Sequence, residues 1–441
     1  MQVGNRRVKM KALLILMLAI LVMVLAACGS SNNDGNASPS SAAASPDSTP
    51  SASTQAAQEK KEVVELEFFQ FAPVVPAFEA IIARFEEKYP HINITQNNVP
   101  DALKVLDMRM ASGDAPDLFN LGASAAYRNY VQNGLIVDLT NEEFMKRVNP
   151  TALEMVDYEG KKYGMPGVFN MIGMYYNKKI FNDLGIDVPK TKDELIAAAE
   201  KIKAAGITPF VFPDKDVPMI NRLDFQAYSG VFTDNPKQIF LDAMEKKTHL
   251  TESEVLRKSA QMYIDLRKYS ENSLSISMQE GFNQFATGKA AMMPYINFAA
   301  TVVRSINPEL EFSEFPLPGD DPNAIRVPVG TGFQFAISSD SKYIEEAKMF
   351  LDFWSQPENA ALFESKEMSP SAILGVPSTT KETELMRKYI DEGKTFQWPG
   401  ERGHWSVSQL NDFATHAQAL AQTKDVDKFL QSIDALFYGV K

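Results

Sequence analysis

Residues Val63 to Thr95 read as strand, helix, strand, and that order restricts the fold more than any other feature of the chain. Val63-Val64-Glu65-Leu66-Glu67-Phe68 alternates as a half-buried strand does. Phe78, Ile81, Ile82, Phe85 and Tyr89 then recur at helical spacing until Pro90 closes the run, and His91-Ile92-Asn93-Ile94-Thr95 reads as the next strand. Two strands joined through a helix pair in parallel, so an α/β fold with crossover helices is expected. The pattern persists downstream. Thr191-Lys192-Asp193-Glu194 has capping-box spacing, Leu195, Ala199 and Ile202 form one helical face, and Gly206 can end that helix in a left-handed conformation. Ala347, Phe350, Leu351 and Trp354 form another apolar face, which assigns Trp354 to a core.

The chain ahead of Val63 has a different character. Arg6, Arg7, Lys9 and Lys11 precede an unbroken run of small and apolar residues from Ala12 to Ala27. As a helix that run spans about 24 Å, short of the ~30 Å hydrocarbon core, and reads as a secretory signal over residues 1–27. From Gly29 to Lys61 there is no Val, Ile, Leu, Met or aromatic residue. Such a segment cannot offset its ordering entropy by burial, so residues 28–61 are expected to be a flexible tether. Cys28, the one cysteine of the chain, lies between the two segments. No internal disulfide can form, so the body must be stabilised by packing.

Roughly 380 residues remain, enough for two domains. The formal charge is −12, and −16 once the four cations of the signal are removed, which argues against nucleic acid and against a basic membrane-binding patch. Catalytic and cofactor motifs are sparse. Gly288-Lys289 is followed by Ala290 and lacks the upstream glycine of a phosphate-binding loop. Gly330-Thr331-Gly332 has Phe335 at the third glycine position of a dinucleotide fingerprint. Ser124 lacks the second glycine of a nucleophile elbow, and His91, His249, His404 and His416 have no metal-ligand spacing. No cofactor, metal site or enzymatic activity is expected. A hydrolase would need two carboxylates facing a cleft.

Several stretches occur together in one order. They are Ala111-Ser-Gly-Asp114-Ala-Pro116-Asp117-Leu-Phe119, Asn133-Gly-Leu-Ile-Val-Asp138-Leu139, Gly160-Lys-Lys-Tyr163-Gly164-Met-Pro166, Tyr175-Tyr176-Asn177-Lys178 with Gly185 and Pro189-Lys-Thr191 beyond it, and Phe285-Ala-Thr-Gly288-Lys289-Ala290-Ala291-Met292. Together they resemble the bacterial extracellular solute-binding proteins of family 1, the maltose-binding-protein type, over essentially all of Val63 to Lys441. Leu25-Ala26-Ala27-Cys28 is similar to a lipoprotein signal, which implies a lipid on Cys28 and an anchor at the extracytoplasmic face of the cell membrane. The resemblance implies a periplasmic-binding-protein-like fold of type II. Its two lobes are joined by crossover strands, with ligand in the cleft between them. Crossings are expected near Val168–Gly173, near Pro328–Phe333 and around Ser365–Ser378. Lobe 1 would then hold residues 62–170 and 330–370, and lobe 2 residues 171–329 and 371–441. The implied function is carbohydrate capture by a monomeric subunit of an ABC importer, whose permease is the partner. A binding protein for a peptide, polyamine or phosphate compound is the alternative within this fold, and a secreted glycan hydrolase the alternative outside it.

A sugar packs its C–H face on aromatic rings and needs hydrogen bonds for its hydroxyls. By resemblance, Gln70 and Phe71 follow the first strand where the family meets sugar, Ser124 follows Pro116-Asp117, and Asn170 stands at the first crossover. Phe298 and Trp405 occupy stacking positions, and Trp398 lies beside the latter. An amide at 170 and Phe at 298, where the maltose binder has an acid and Trp, point away from maltose. Asp117 is expected to be a structural hydrogen-bonding residue.

Overall fold

The computed structural model describes residues 62–71, 76–122, 124–215, 218–400 and 404–440; the expected signal, Cys28 and the expected tether lie outside the described residues. Strand β1 (Val64–Gln70) leads through α1 (Pro76–Lys88) to β2 (Ile92–Asn98), which pairs with β1 in parallel, in a register from Val64 opposite Ile92 to Gln70 opposite Asn98. Val64, Leu66 and Phe68 face α1, whose Phe78, Ile81, Ile82 and Phe85 are buried against them. Glu65 and Glu67 fall on the opposite face, as the alternation requires. After α2 (Ala102–Ser112), β3 (Leu118–Leu121) adds in parallel to β1 and feeds α3 (Ala125–Gln132).

The remaining strands of the main sheet are β4 (Met165–Asn177), β5 (Thr208–Phe210), β6 (Ala290–Ile296), β7 (Phe312–Phe315), β8 (Val327–Ile337) and β9 (Thr395–Gln397), and Asp157–Tyr158 pairs with Lys161–Lys162 in a separate hairpin. Among the described residues one sheet holds nine strands in the order β2-β1-β3-β8-β4-β6-β5, with β9 beside β8 and β7 beside β4. The helices that matter below are α4 (Lys192–Ala204), α5 (Pro218–Ser229), α6 (Glu254–Arg267), α7 (Ala299–Ile306), α8 (Ile344–Trp354), α9 (Val407–Thr423) and α10 (Val426–Phe437). Thr191 caps α4 through its hydroxyl, which accepts from the Glu194 N–H, and Gly206 has the left-handed φ of +79°.

The hydrophobic residues fall into separate cores. One unites Val64–Phe85 with Met165–Met171, Val327–Ile337 and residues up to Ile390, and has Trp354 at its centre among Phe78, Phe333, Phe335 and Phe363. A smaller cluster covers the other face of β1 and β3 with Leu106, Tyr127 and Tyr130. The third holds Ile172 to Leu317 and Trp398 to Phe437. Strand β4 therefore changes cores between the neighbouring residues Met171 and Ile172. The chain returns between Leu317 and Val327, and changes again between Ile390 and Trp398.

Two of these changes differ from the expected crossings. All of β8 packs in the first core because β3 and β4 flank it there, so the second change precedes Pro328. Residues 372–390 were expected in lobe 2, but Ala372, Ile373, Val376, Met386 and Ile390 pack in the first core. The cause is backbone pairing: Phe169 N–H donates to Pro370 O at 2.8 Å, Ala372 N–H to Gly167 O at 3.0 Å, and Ser371 bridges Val168. Asp117 stitches the first core from outside, accepting from Glu67 N–H at 2.9 Å and from the Ser341 hydroxyl at 2.6 Å.

Candidate functional site

A cavity of about 360 Å³ lies where the cores meet. One wall comes from α2, the end of β3 and the start of α3, and carries Leu106, Asp107, Ser124 and Tyr130. The opposite wall comes from α5 and from the segment entering α9, and carries Arg222, Trp398, Gly400, Trp405 and Leu410. Thr331 of β8 contributes from the sheet between them. A larger cavity of about 760 Å³ adjoins it, sharing Leu103, and is lined by Phe71 and by Asn98 through Lys104.

Each wall has a structural reason. Ser124 caps α3, accepting from Tyr127 N–H at 3.4 Å, which sets the start of that helix on the cavity edge. Tyr130, one turn further along α3, is buried and donates its hydroxyl to Asp107 Oδ1 on α2. Burial, with the Asp107 carboxylate beside it, pushes the Tyr130 hydroxyl far above its ordinary range, so it remains a donor. Asp107 itself is exposed and is the one carboxylate among the described residues that line this cavity.

On the facing wall, α5 is pinned by a buried ionic cluster. Arg267 Nε and Nη2 donate to the two oxygens of Asp214 at 2.8 and 2.9 Å, and Nη2 also to Asp224 Oδ2 at 2.9 Å. Its guanidinium stacks on Tyr263 and Phe212. Asp224 and Arg222 stand two positions apart on α5 and so point to opposite sides of the helix. The cluster thereby holds one side of α5 while Arg222 lines the cavity on the other.

Three of the residues picked out in the sequence meet here: Ser124 on one wall, Trp398 and Trp405 on the other. The two tryptophans are also core residues. Trp405 is 1% exposed, with ring centroids of Phe240, Phe413 and Phe437 within 5.2 Å, and Trp398 is 3% exposed. Phe71 lines the adjoining cavity, its N–H held by Asn120 Oδ1 at 3.0 Å. Gln70 is fully buried and donates to Gln96 Oε1, lining neither cavity. Asn170 pairs opposite Gly330 within the sheet, and Phe298, 42% exposed, rests its ring on Phe282 and Tyr295; neither lines the two cavities.

The sequence reading did not single out Asp107, Tyr130, Arg222 or Thr331. One signal existed for Asp107: it interrupts the helical stripe Leu103, Leu106, Met110 with an acid.

Among the described residues, the lining joins indole rings, hydroxyl groups, one carboxylate and one guanidinium in a cleft between two separately packed bodies. Such a lining can bind a polar, ring-containing solute. A family model described as bacterial extracellular solute-binding protein matches residues 71–361. The chain belongs to this family. Among relatives of this solute-binding protein, the multiple sugar-binding protein of Streptococcus mutans serotype c is 26% identical over 398 residues, covering 88% of this chain and 93% of that one. The melibiose/raffinose/stachyose-binding protein MelE of Bacillus subtilis is 24% identical, over 68% of this chain and 71% of MelE. Ligand-free RafE of Streptococcus pneumoniae superposes with a TM-score of 0.76 at 25% identity, covering 87% of this chain and 100% of RafE. RafE in complex with raffinose gives 0.73 at 24% identity, over 86% and 100% of the two chains. The two-lobed α/β fold of the solute-binding protein is the one these structures share.

Proposed function

We propose that the protein is the solute-capturing subunit of an ABC importer and that it takes a neutral oligosaccharide into the cavity between its cores. The observation that carries this reading is the pairing of Trp398 and Arg222 on one wall with Asp107, Tyr130 and Ser124 on the other. A sugar between them can set its apolar face on an indole and its hydroxyls on the charged and polar groups. The adjoining cavity at Phe71 gives a ligand of several rings room to extend. The names of MelE and of the RafE complex, which specify melibiose, raffinose and stachyose, favour the same chemistry. Among the described residues one carboxylate lines the cavity, where a hydrolase would place two, and this favours binding over cleavage.

Residues 64–171 with 327–390, and 172–317 with 398–437, are read as lobes that close on the ligand. Ligand shifts the open–closed balance by its extra affinity for the closed form, and the closed form is what a permease recognises. A lipid on Cys28 would hold the protein at the outer membrane face, with residues 29–61 as the leash. The Leu25-Ala26-Ala27-Cys28 sequence supports this, and among the described residues no helix is long and apolar enough to cross a membrane.

A thermal-shift panel of raffinose, stachyose, maltose, amino acids and polyamines, on protein lacking residues 1–28, tests the reading. A binder gains Tm with ligand concentration and returns the ligand unchanged. A gain with polyamines alone, or cleavage of the saccharide, overturns it. Release of the Cys28→Ser full chain from cell membranes tests the anchor.

A further inference from the structure

We propose that Gln226 of α5 determines specificity in this cavity by hydrogen bonding a ligand hydroxyl with its side-chain amide. This rests on the carbohydrate reading above and adds a residue to it. Gln226 is fully buried, and neither Oε1 nor Nε2 has a hydrogen-bond partner among the described residues. A buried amide without partners is costly, whereas an apolar side chain of the same length would fill the place at no such cost.

Its position relates it to the cavity. Gln226 stands one helical turn from Arg222, on the same side of α5, and Arg222 lines the cavity. Gly400 lines it too, and a Cβ built on Gly400 would lie 3.1 Å from Gln226 Nε2, 3.1 Å from Leu410 Cδ2 and 3.4 Å from Arg222 Nη1. Leu410 is itself a lining residue. The amide thus packs directly behind Gly400, closer than a methyl group on that residue would allow, at the back of the cavity wall. The amide is not needed to hold α5, because Asp224 ties the opposite side of the helix to Arg267 at 2.9 Å. An amide offers a donor and an acceptor together, which suits a hydroxyl and suits neither an anion nor an ammonium group as well as a charged side chain would.

The test uses the full chain, with Gln226→Met and Gln226→Leu, and raffinose and stachyose as probes. Calorimetric titration gives Kd and thermal unfolding gives the ligand-free Tm. The expected result is a Tm equal to or above wild type together with binding weakened about tenfold or more. Wild-type affinity in a folded variant overturns the inference and leaves the carbohydrate reading intact. A lowered ligand-free Tm in both variants assigns Gln226 to the core and also overturns it. Failure of the wild-type chain to bind either saccharide removes the carbohydrate reading and the inference with it.

Discussion

Tyr130 donates its hydroxyl to Asp107 across the gap between α3 and α2, and the pair lines the cavity at which the cores meet. Tyr130 is buried and Asp107 exposed, so the tyrosine orients an acceptor whose other lone pairs face the cleft. Asp107→Ala should weaken saccharide binding about 10- to 100-fold, the effect of removing a hydrogen bond to a charged group, about 1.5–3 kcal/mol. Tyr130→Phe keeps the carboxylate and should weaken it less. Titration calorimetry on both variants checks the order.

Trp405 lines the cavity from within a core, so its substitutions should separate by how much of that packing they keep. Trp405→Ala should lose about 3–5 kcal/mol of stability, since it empties a site packed by Phe240, Phe413 and Phe437. Trp405→Phe keeps most of that packing. Urea denaturation measures the difference.

Glu314 gives stability a pH dependence. It is fully buried on β7 with no ion pair among the described residues, and a Cβ on Gly173 would lie 2.6 Å from its Oε1. Desolvation pushes its carboxyl well above the ordinary range, so the folded state keeps the proton that the unfolded state releases near pH 4.3. The unfolded state therefore binds fewer protons above that pH, and stability falls as pH rises, by about 1.4 kcal/mol per unit until the folded-state value is passed. Glu314→Gln should remove this slope. Its Tm advantage over wild type should grow between pH 5 and pH 7, and parallel Tm–pH curves would contradict the assignment.

Arg267→Met should cost about 3–5 kcal/mol, because it leaves Asp214 and Asp224 buried without their cation. Since the same cluster holds α5, saccharide affinity should fall in the folded fraction as well. Denaturation and titration of one preparation report both effects.

The α/β class and several core residues were legible in the sequence because they rest on periodicity. Phe78 to Phe85 and the Trp354 stripe needed only helical spacing to be placed in a core. Of the candidate cavity, the positions the sequence placed in loops, Ser124, Trp398 and Trp405, are on the lining. It was not legible where the wall comes from helices meeting across the cleft. Asp107 and Arg222 lie far apart in the chain, and only the packing of α2 and α5 brings them to one cavity. The third change of core escaped the sequence for a similar reason: the pairing of Phe169 with Pro370 through backbone atoms leaves no mark on side-chain type.

The most direct measurement is a crystal structure of the protein with the saccharide selected by thermal shift. The expected result is an intact sugar between the walls, one ring against Trp398 and hydroxyls directed to Asp107 and Arg222. A saccharide bound elsewhere, or a ligand without sugar rings filling this cavity, would contradict carbohydrate capture between the two cores.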